Sequence, residues 1–198
     1  AKDDRGRNAL LALLVDPGTV DSLLDNSILL DFILDGHETL EISQFLYFYL
    51  LVRSSFQEVG LMDPDLADYV AGVLADLSSS WLPGRGGRSA LPYVIDLSED
   101  LNRVQSPYER FFLSVRVGNF LLVATGIFHA HLVERSERRG APGLAYYEDF
   151  GAGVFREAGN HPLAKEFLME DRFFQLSEEF SASRRALNRL SDQFLLWN

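Results

Sequence analysis

The chain of 198 residues has no cysteine. That excludes disulfides, thiolate nucleophiles and cysteine-ligated zinc or iron–sulfur centres. Lysine is nearly missing too: Lys2 and Lys165 stand against sixteen arginines, a ratio that reads as coding bias before it reads as function. Positive charge is scarcest in one long stretch. Between Arg7 and Arg85 the one basic side chain is Arg53, against twelve carboxylates: Asp16, Asp21, Asp25, Asp31, Asp35, Glu38, Glu41, Glu58, Asp63, Asp65, Asp68 and Asp76. The formal net charge of −11 therefore belongs to the first hundred residues, and the second half is balanced. A polyanion would be repelled by that half, so nucleic acid is not an expected partner, and no basic recognition helix offsets the acidity.

Long apolar runs are also absent. The most apolar window, Phe111 to Phe128, is interrupted by Arg116 and Asn119, so a buried core helix is expected there rather than a membrane span. No secretory signal precedes the first acids, and a cytoplasmic location is the expectation. No stretch alternates polar and apolar residues, which removes the strand signature. What remains is 47% apolar and 24% charged residues, ordinary globular usage, in a chain long enough to bury roughly 70% of its extended surface.

Glycine and proline punctuate segments whose apolar spacing is near 3.6 residues. The fold class expected is all-α: residues 1–198 form a single all-helical domain of about eight helices around two apolar central helices, 38–59 and 107–138. The first helix is expected over 4–15. The second, 19–35, places Asp21, Asp25, Asp31 and Asp35 on one arc, although Leu24 and Ile28 intrude and admit two shorter helices. Phe45 to Val52 is an unbroken apolar run, the mark of an interior helix. Asp63-Pro64 reads as N-cap and first helical residue of a helix reaching Ser78. Residues 78–91 are the longest loop, and Pro92 opens a short helix to Arg103.

Ser106-Pro107-Tyr108-Glu109 has the order of a capping box, with serine at the N-cap, proline at the first position and glutamate at the third. The helix it starts should reach Arg138, with a bend at Gly118 or Gly126. Ser114, Gly118 and Thr125 share a face that lets another helix approach. A helix over 143–158 follows, in which Gly151 and Gly153 permit close packing. Pro162 opens the last helix, with a break near Asp171.

Chemistry-bearing motifs are few. A di-iron carboxylate bundle needs Glu-x-x-His on two helices, but the residues three before His37, His129, His131 and His161 are Leu34, Gly126, Phe128 and Ala158. The reverse pairs His37/Glu41 and His131/Glu134 sit near helix ends, where solvated side chains are usual. No metal site and no cofactor is expected. His129 and His131 point to opposite sides of a helix, so one packs and one is solvated, and His161 reads as a helix-start residue. No Gly-x-Ser-x-Gly elbow, phosphate cradle or calcium loop is present, and no catalytic residue is assigned.

Two features carry more weight. Arg53 and Arg116 lie within or beside the most apolar helices, with Asn119 a turn beyond Arg116, and a charge so placed must be paired or must reach water. A structural polar network is one outcome. The sharper one is an anion-recognising pocket formed by Tyr47, Arg53, Arg116, Asn119 and Tyr146, with a small-molecule ligand. The second feature is the 24 aromatic side chains at core-type spacing. Pairs such as Phe111-Phe112 and Phe173-Phe174 turn at least one ring away from the core, as a subunit interface would require.

From Phe120 onward the chain resembles an uncharacterised family of bacterial all-helical proteins. The likeness is carried by Ala124-Thr125-Gly126-Ile127-Phe128, the basic stretch from Glu134 to Gly140, Tyr146-Tyr147, Gly151 and Phe155-Arg156. The segment from Phe45 to Ala71 is similar to the family's earlier helix pair. Where the family has proline, this chain has His129. The resemblance implies a helical bacterial protein and brings no activity with it. The leading functional expectation is thus a non-catalytic helical protein acting through protein contacts or self-association. The alternative is a small-molecule binder or enzyme with a pocket between the central helices.

Overall fold

The computed structural model describes residues 16–36, 42–81, 94–139 and 141–194. Eleven helices occupy them: α1 (Pro17–Leu24), α2 (Ser27–Gly36), α3 (Gln44–Glu58), α4 (Pro64–Trp81), α5 (Val94–Arg103), α6 (Pro107–Gly126), α7 (His129–Arg139), α8 (Leu144–Gly159), α9 (Pro162–Glu166), α10 (Glu170–Glu178) and α11 (Phe180–Phe194). No strand occurs among the described residues, and the all-α expectation holds. The helix expected over 4–15, and most of the loop expected over 78–91, lie outside them.

The helix starts follow the local chemistry. Asp63 Oδ1 accepts from the backbone N–H groups of Asp65 (2.9 Å) and Leu66 (3.3 Å), which caps α4 with Pro64 in its first turn. Ser43 Oγ accepts from Leu46 N at 3.1 Å, so α3 begins at Gln44; residues 38–41 of the helix expected over 38–59 lie outside the described residues. Ser106 Oγ accepts from Glu109 N at 3.4 Å and starts α6. His161 caps α9 through Nδ1, which accepts from Leu163 N at 3.2 Å.

The helix count differs from eight because three expected helices divide. The 19–35 helix parts at Asp25-Asn26, where Asn26 Oδ1 accepts from Ile28 N and restarts the chain as α2. The final helix parts twice, at 167–169 and again at Glu179. The long helix expected over 107–138 ends at Gly126, and the chain turns by 84° into α7. Of the two bends expected, Gly126 lies at the break and Gly118 lies within α6.

That break leaves three carbonyls in the protein interior, each of which needs a donor. Helix α11 supplies them. Asn188 Nδ2 donates to the carbonyls of Thr125 (3.1 Å) and Gly126, and Ser191 Oγ donates to that of Ile127 at 3.1 Å. Asn188 is itself fixed by Arg184, whose guanidinium pairs with Glu148 of α8 at 2.6 Å.

Close approach is what brings these groups within reach. A Cβ at Gly118 would stand 2.8 Å from the Phe155 ring, and one at Gly126 only 2.6 Å from Leu187 Cβ. At Gly151 it would stand 2.3 Å from the Phe180 ring. Helix α6 thus lies directly on α8 and α11, and α10 packs on α8. Helix α11 also reaches α3, which lies along α4, so it joins the α3–α4 pair to the rest. The two-centre picture changes accordingly, with α11 as a third central element. Leu187 and Leu190 on its inner face are completely buried, and one continuous apolar cluster runs from α3 and α4 through α6, α8, α10 and α11.

Helix α3 is less enclosed than its apolar run implies: Gln44 and Phe45 are exposed, while Leu50 to Arg53, Ser55 and Phe56 are buried. No single described helix is long and apolar enough to cross a membrane.

Gly151 and Gly153 make a matched test. A Cβ at Gly153 meets nothing within 4 Å, which corrects the expectation that both glycines serve packing. Gly151→Ala should lower the unfolding free energy by about 1–3 kcal/mol through overpacking. Gly153→Ala should raise it by about 0.5–1 kcal/mol through helix propensity. Denaturant unfolding of the two variants measures both signs.

Candidate functional site

Each of the residues proposed for an anion pocket has its own surroundings in the fold. Arg53 is buried, and its guanidinium is occupied on every side. Nε and Nη2 grip the Asp25 carboxylate as a fork, the latter at 3.0 Å, while Nη1 reaches Asp21 (3.0 Å) and the Tyr49 hydroxyl oxygen (2.7 Å). The guanidinium also sits 5.8 Å above the centre of the Tyr49 ring, and Gln57 donates to Asp25 at 2.5 Å. Hydrogen bonding to Asp25 raises the Arg53 pKa above its already high ordinary value. The same bond holds the Asp25 carboxyl below the usual carboxylate range, against the opposing effect of burial. This is a buried arginine paired as physics requires, and it ties α1 to α3. The pairing that the sequence demanded for this charge is supplied by Tyr49 of the same helix and by Asp21 and Asp25, two members of the aspartate arc.

Asn119 accepts from the Tyr69 hydroxyl at 2.8 Å, linking α6 to α4, and burial pushes the Tyr69 pKa upward. Tyr47 is half-buried with its ring edge-on to Phe48 at 5.8 Å, and burial raises its pKa as well. Tyr146 is exposed and stacks on Phe150 at 6.5 Å. Arg116 is exposed on α6, with no hydrogen bond or ion pair to any described residue. The depression beside Arg53, lined by Phe56, Gln57, Leu61 and Asp63 among others, amounts to about 170 Å³ including open solvent. Small-molecule sites run to roughly 300–1,000 Å³. No group of three His, Asp or Glu placed to hold a metal occurs among the described residues. His131 is exposed and His129 half-buried.

A different surface stands out. Helix α6 turns Phe111 inward and Phe112 outward, as the paired phenylalanines suggested: Phe111 is 4% exposed and Phe112 41%. Phe112 packs against Tyr108 one turn earlier, ring centres 4.9 Å apart, and against Phe167 at 6.2 Å. Phe167 also meets Phe111 at 6.1 Å, and Phe111 stacks on His161 at 5.1 Å. Tyr108 (59% exposed) and Phe167 (48%) complete an apolar surface rooted in the core by Phe111, and Leu168 (90% exposed) follows Phe167 in the chain.

Leu168 makes this surface hard to explain as leftover packing. It has a φ of +58° and ends α9 in the αL position. Leu168 N donates to Lys165 O at 3.0 Å and Met169 N to Ala164 O at 2.7 Å, the Schellman pair of bonds. Glycine is the usual residue there because a side chain costs roughly 1–2 kcal/mol in that conformation. The protein instead places a leucine in that conformation and turns it to solvent, where it gains almost no burial. Leu168 and Phe167 left no sequence signal: without a glycine the αL turn is invisible, and the break was expected nearer Asp171. Compared with family models, curated proteins and solved structures, the chain matches none.

Leu168→Gly should therefore raise the unfolding free energy by about 1 kcal/mol. Leu168→Ala, which keeps the strained backbone and loses little burial, should change it by less than about 0.5 kcal/mol. Denaturant unfolding at a dilution where the chain is monomeric compares the two.

Proposed function

We propose that this is a non-catalytic helical protein that works through protein contacts and associates with itself, using the surface of Tyr108, Phe112, Phe167 and Leu168. The single observation carrying this reading is Leu168, a solvent-facing apolar side chain held where glycine would be more stable. Backbone strain retained at an exposed apolar residue points to selection for contact rather than for folding. The neighbouring aromatic rings are the residue types that anchor interfaces.

The rest of the molecule supports a role without chemistry. Arg53 is filled by Asp21 and Asp25, Tyr69 is bonded to Asn119, and Asp63 is bonded to Arg172 at 2.8 Å. These groups serve the fold and are engaged within it. A second apolar area, Leu23, Ile28 and Phe32 on α1 and α2, is also exposed, but it carries no strained residue and borders segments outside the described chain. Membership of the bacterial helical family and a cytoplasmic location belong to the same proposal, the former resting on the resemblance carried by the residues from Ala124 to Arg156.

Light scattering coupled to size exclusion tests the reading. The wild type is expected above the 22.3 kDa of one chain and should fall toward it on dilution. Phe112→Asp should elute as a monomer throughout. A wild type that is strictly monomeric at every concentration would refute self-association.

A further inference from the structure

The outer face of α6 carries more than aromatic rings. At 100° per residue, Tyr108, Phe112, Arg116 and Glu109 fall within an arc of about 100°, opposite the buried face of Phe111, Ser114, Gly118 and Thr125. Glu109 and Arg116 are both exposed, and neither side chain has a hydrogen bond or ion pair to a described residue. They lie on the same flank of the stripe, about 20° apart around the axis and about 10 Å apart along it. That is too far for them to meet within one helix, and Phe112 lies almost midway between them. Phe167 contacts both Phe111 and Phe112, which places it on the other flank, beside Tyr108.

We propose that two copies of the chain pair antiparallel along α6, with Phe112 packed at the twofold axis and Glu109 of each copy bridged to the partner's Arg116. Symmetry selects this pairing, which rests on the self-association reading above. A twofold axis perpendicular to the plane of two antiparallel helices reverses direction along the helix and keeps each residue on its own flank. It therefore carries the partner's Arg116 to Glu109 and the partner's Glu109 to Arg116, closing two ion pairs. A parallel pairing, whose twofold axis runs along the helices, would leave the partner's Glu109 and Arg116 at their own heights on the opposite flank, so that no glutamate meets an arginine. The stripe is thus complementary to itself in one orientation only, as a closed isologous dimer requires. Tyr108, Phe167 and Leu168 extend the apolar contact along the flank away from the charges. The pair of charges sets the register, and the rings supply the affinity.

Charge reversal tests this without touching the core. In Glu109→Arg homodimers both bridges become arginine pairs, and in Arg116→Glu homodimers both become glutamate pairs. Each single variant should weaken dimerisation about tenfold at low salt, an effect that shrinks at high salt. Mixing the two variants restores two opposite-charge pairs, as does the double variant E109R/R116E, and both should return to within about threefold of wild type. Sedimentation equilibrium reads all four samples, with circular dichroism to show that each is folded. A wild-type oligomer indifferent to the reversals would overturn the α6 pairing while leaving self-association in place. Weakening without rescue on mixing would overturn it as well. A strictly monomeric wild type would overturn both.

Discussion

The bundle depends on how the end of α6 is satisfied. Twenty residues of helix stop at Gly126 in the protein interior, and unpaired carbonyls there would each cost about 1–3 kcal/mol. Asn188 and Ser191 of α11 donate to the last three, and they can do so only because Gly126 lets α11 lie against the backbone. Glycine contact, carbonyl capture and the sharp turn into α7 are parts of one arrangement. Glu148 and Arg184 hold Asn188 in place, so α8 enters the same network.

With that inner face committed, α6 is left with two unlike sides. The inner side is small and tightly met: Gly118 receives Phe155, and Ser114 and Thr125 are wholly buried. The outer side presents Tyr108, Glu109, Phe112 and Arg116 to solvent. Phe111 connects the two, packing inward while touching Phe112 and Phe167. A surface anchored this way is rigid before any partner arrives, and rigidity lowers the entropy lost on binding. Leu168 sits in the left-handed turn at the end of α9, its backbone held by the two bonds that close that turn.

Much of the fold was legible because it depends on local signals. The caps at Asp63 and Ser106, the helix start at His161 and the outward ring of the Phe111-Phe112 pair all follow from neighbours within a few residues. The Arg53 environment was half legible: its apolar surroundings demanded that the charge be paired or reach water, but Asp21 and Asp25 arrive from 28 or more residues away in sequence. Their spacing showed one acidic arc and no more, because periodicity cannot tell an acid facing water from one facing a buried cation. Asn188 and Ser191 were missed for a related reason: nothing local marks a polar residue whose acceptor lies more than sixty residues earlier. Leu168 was invisible because its conformation is one that leucine rarely adopts, so its sequence neighbourhood argues for something else.

The outer stripe of α6, centred on Phe112, is the surface proposed to meet a second copy of the chain. Because the chain has no cysteine, one introduced thiol reports position cleanly. Phe112→Cys and Ile28→Cys, treated with a short bifunctional maleimide, compare the proposed axis with a residue that is more exposed, at 74% against 41%. The account predicts rapid covalent dimer from Phe112→Cys and little from Ile28→Cys. Equal yields, or more dimer from the better-exposed Ile28 position, would contradict it.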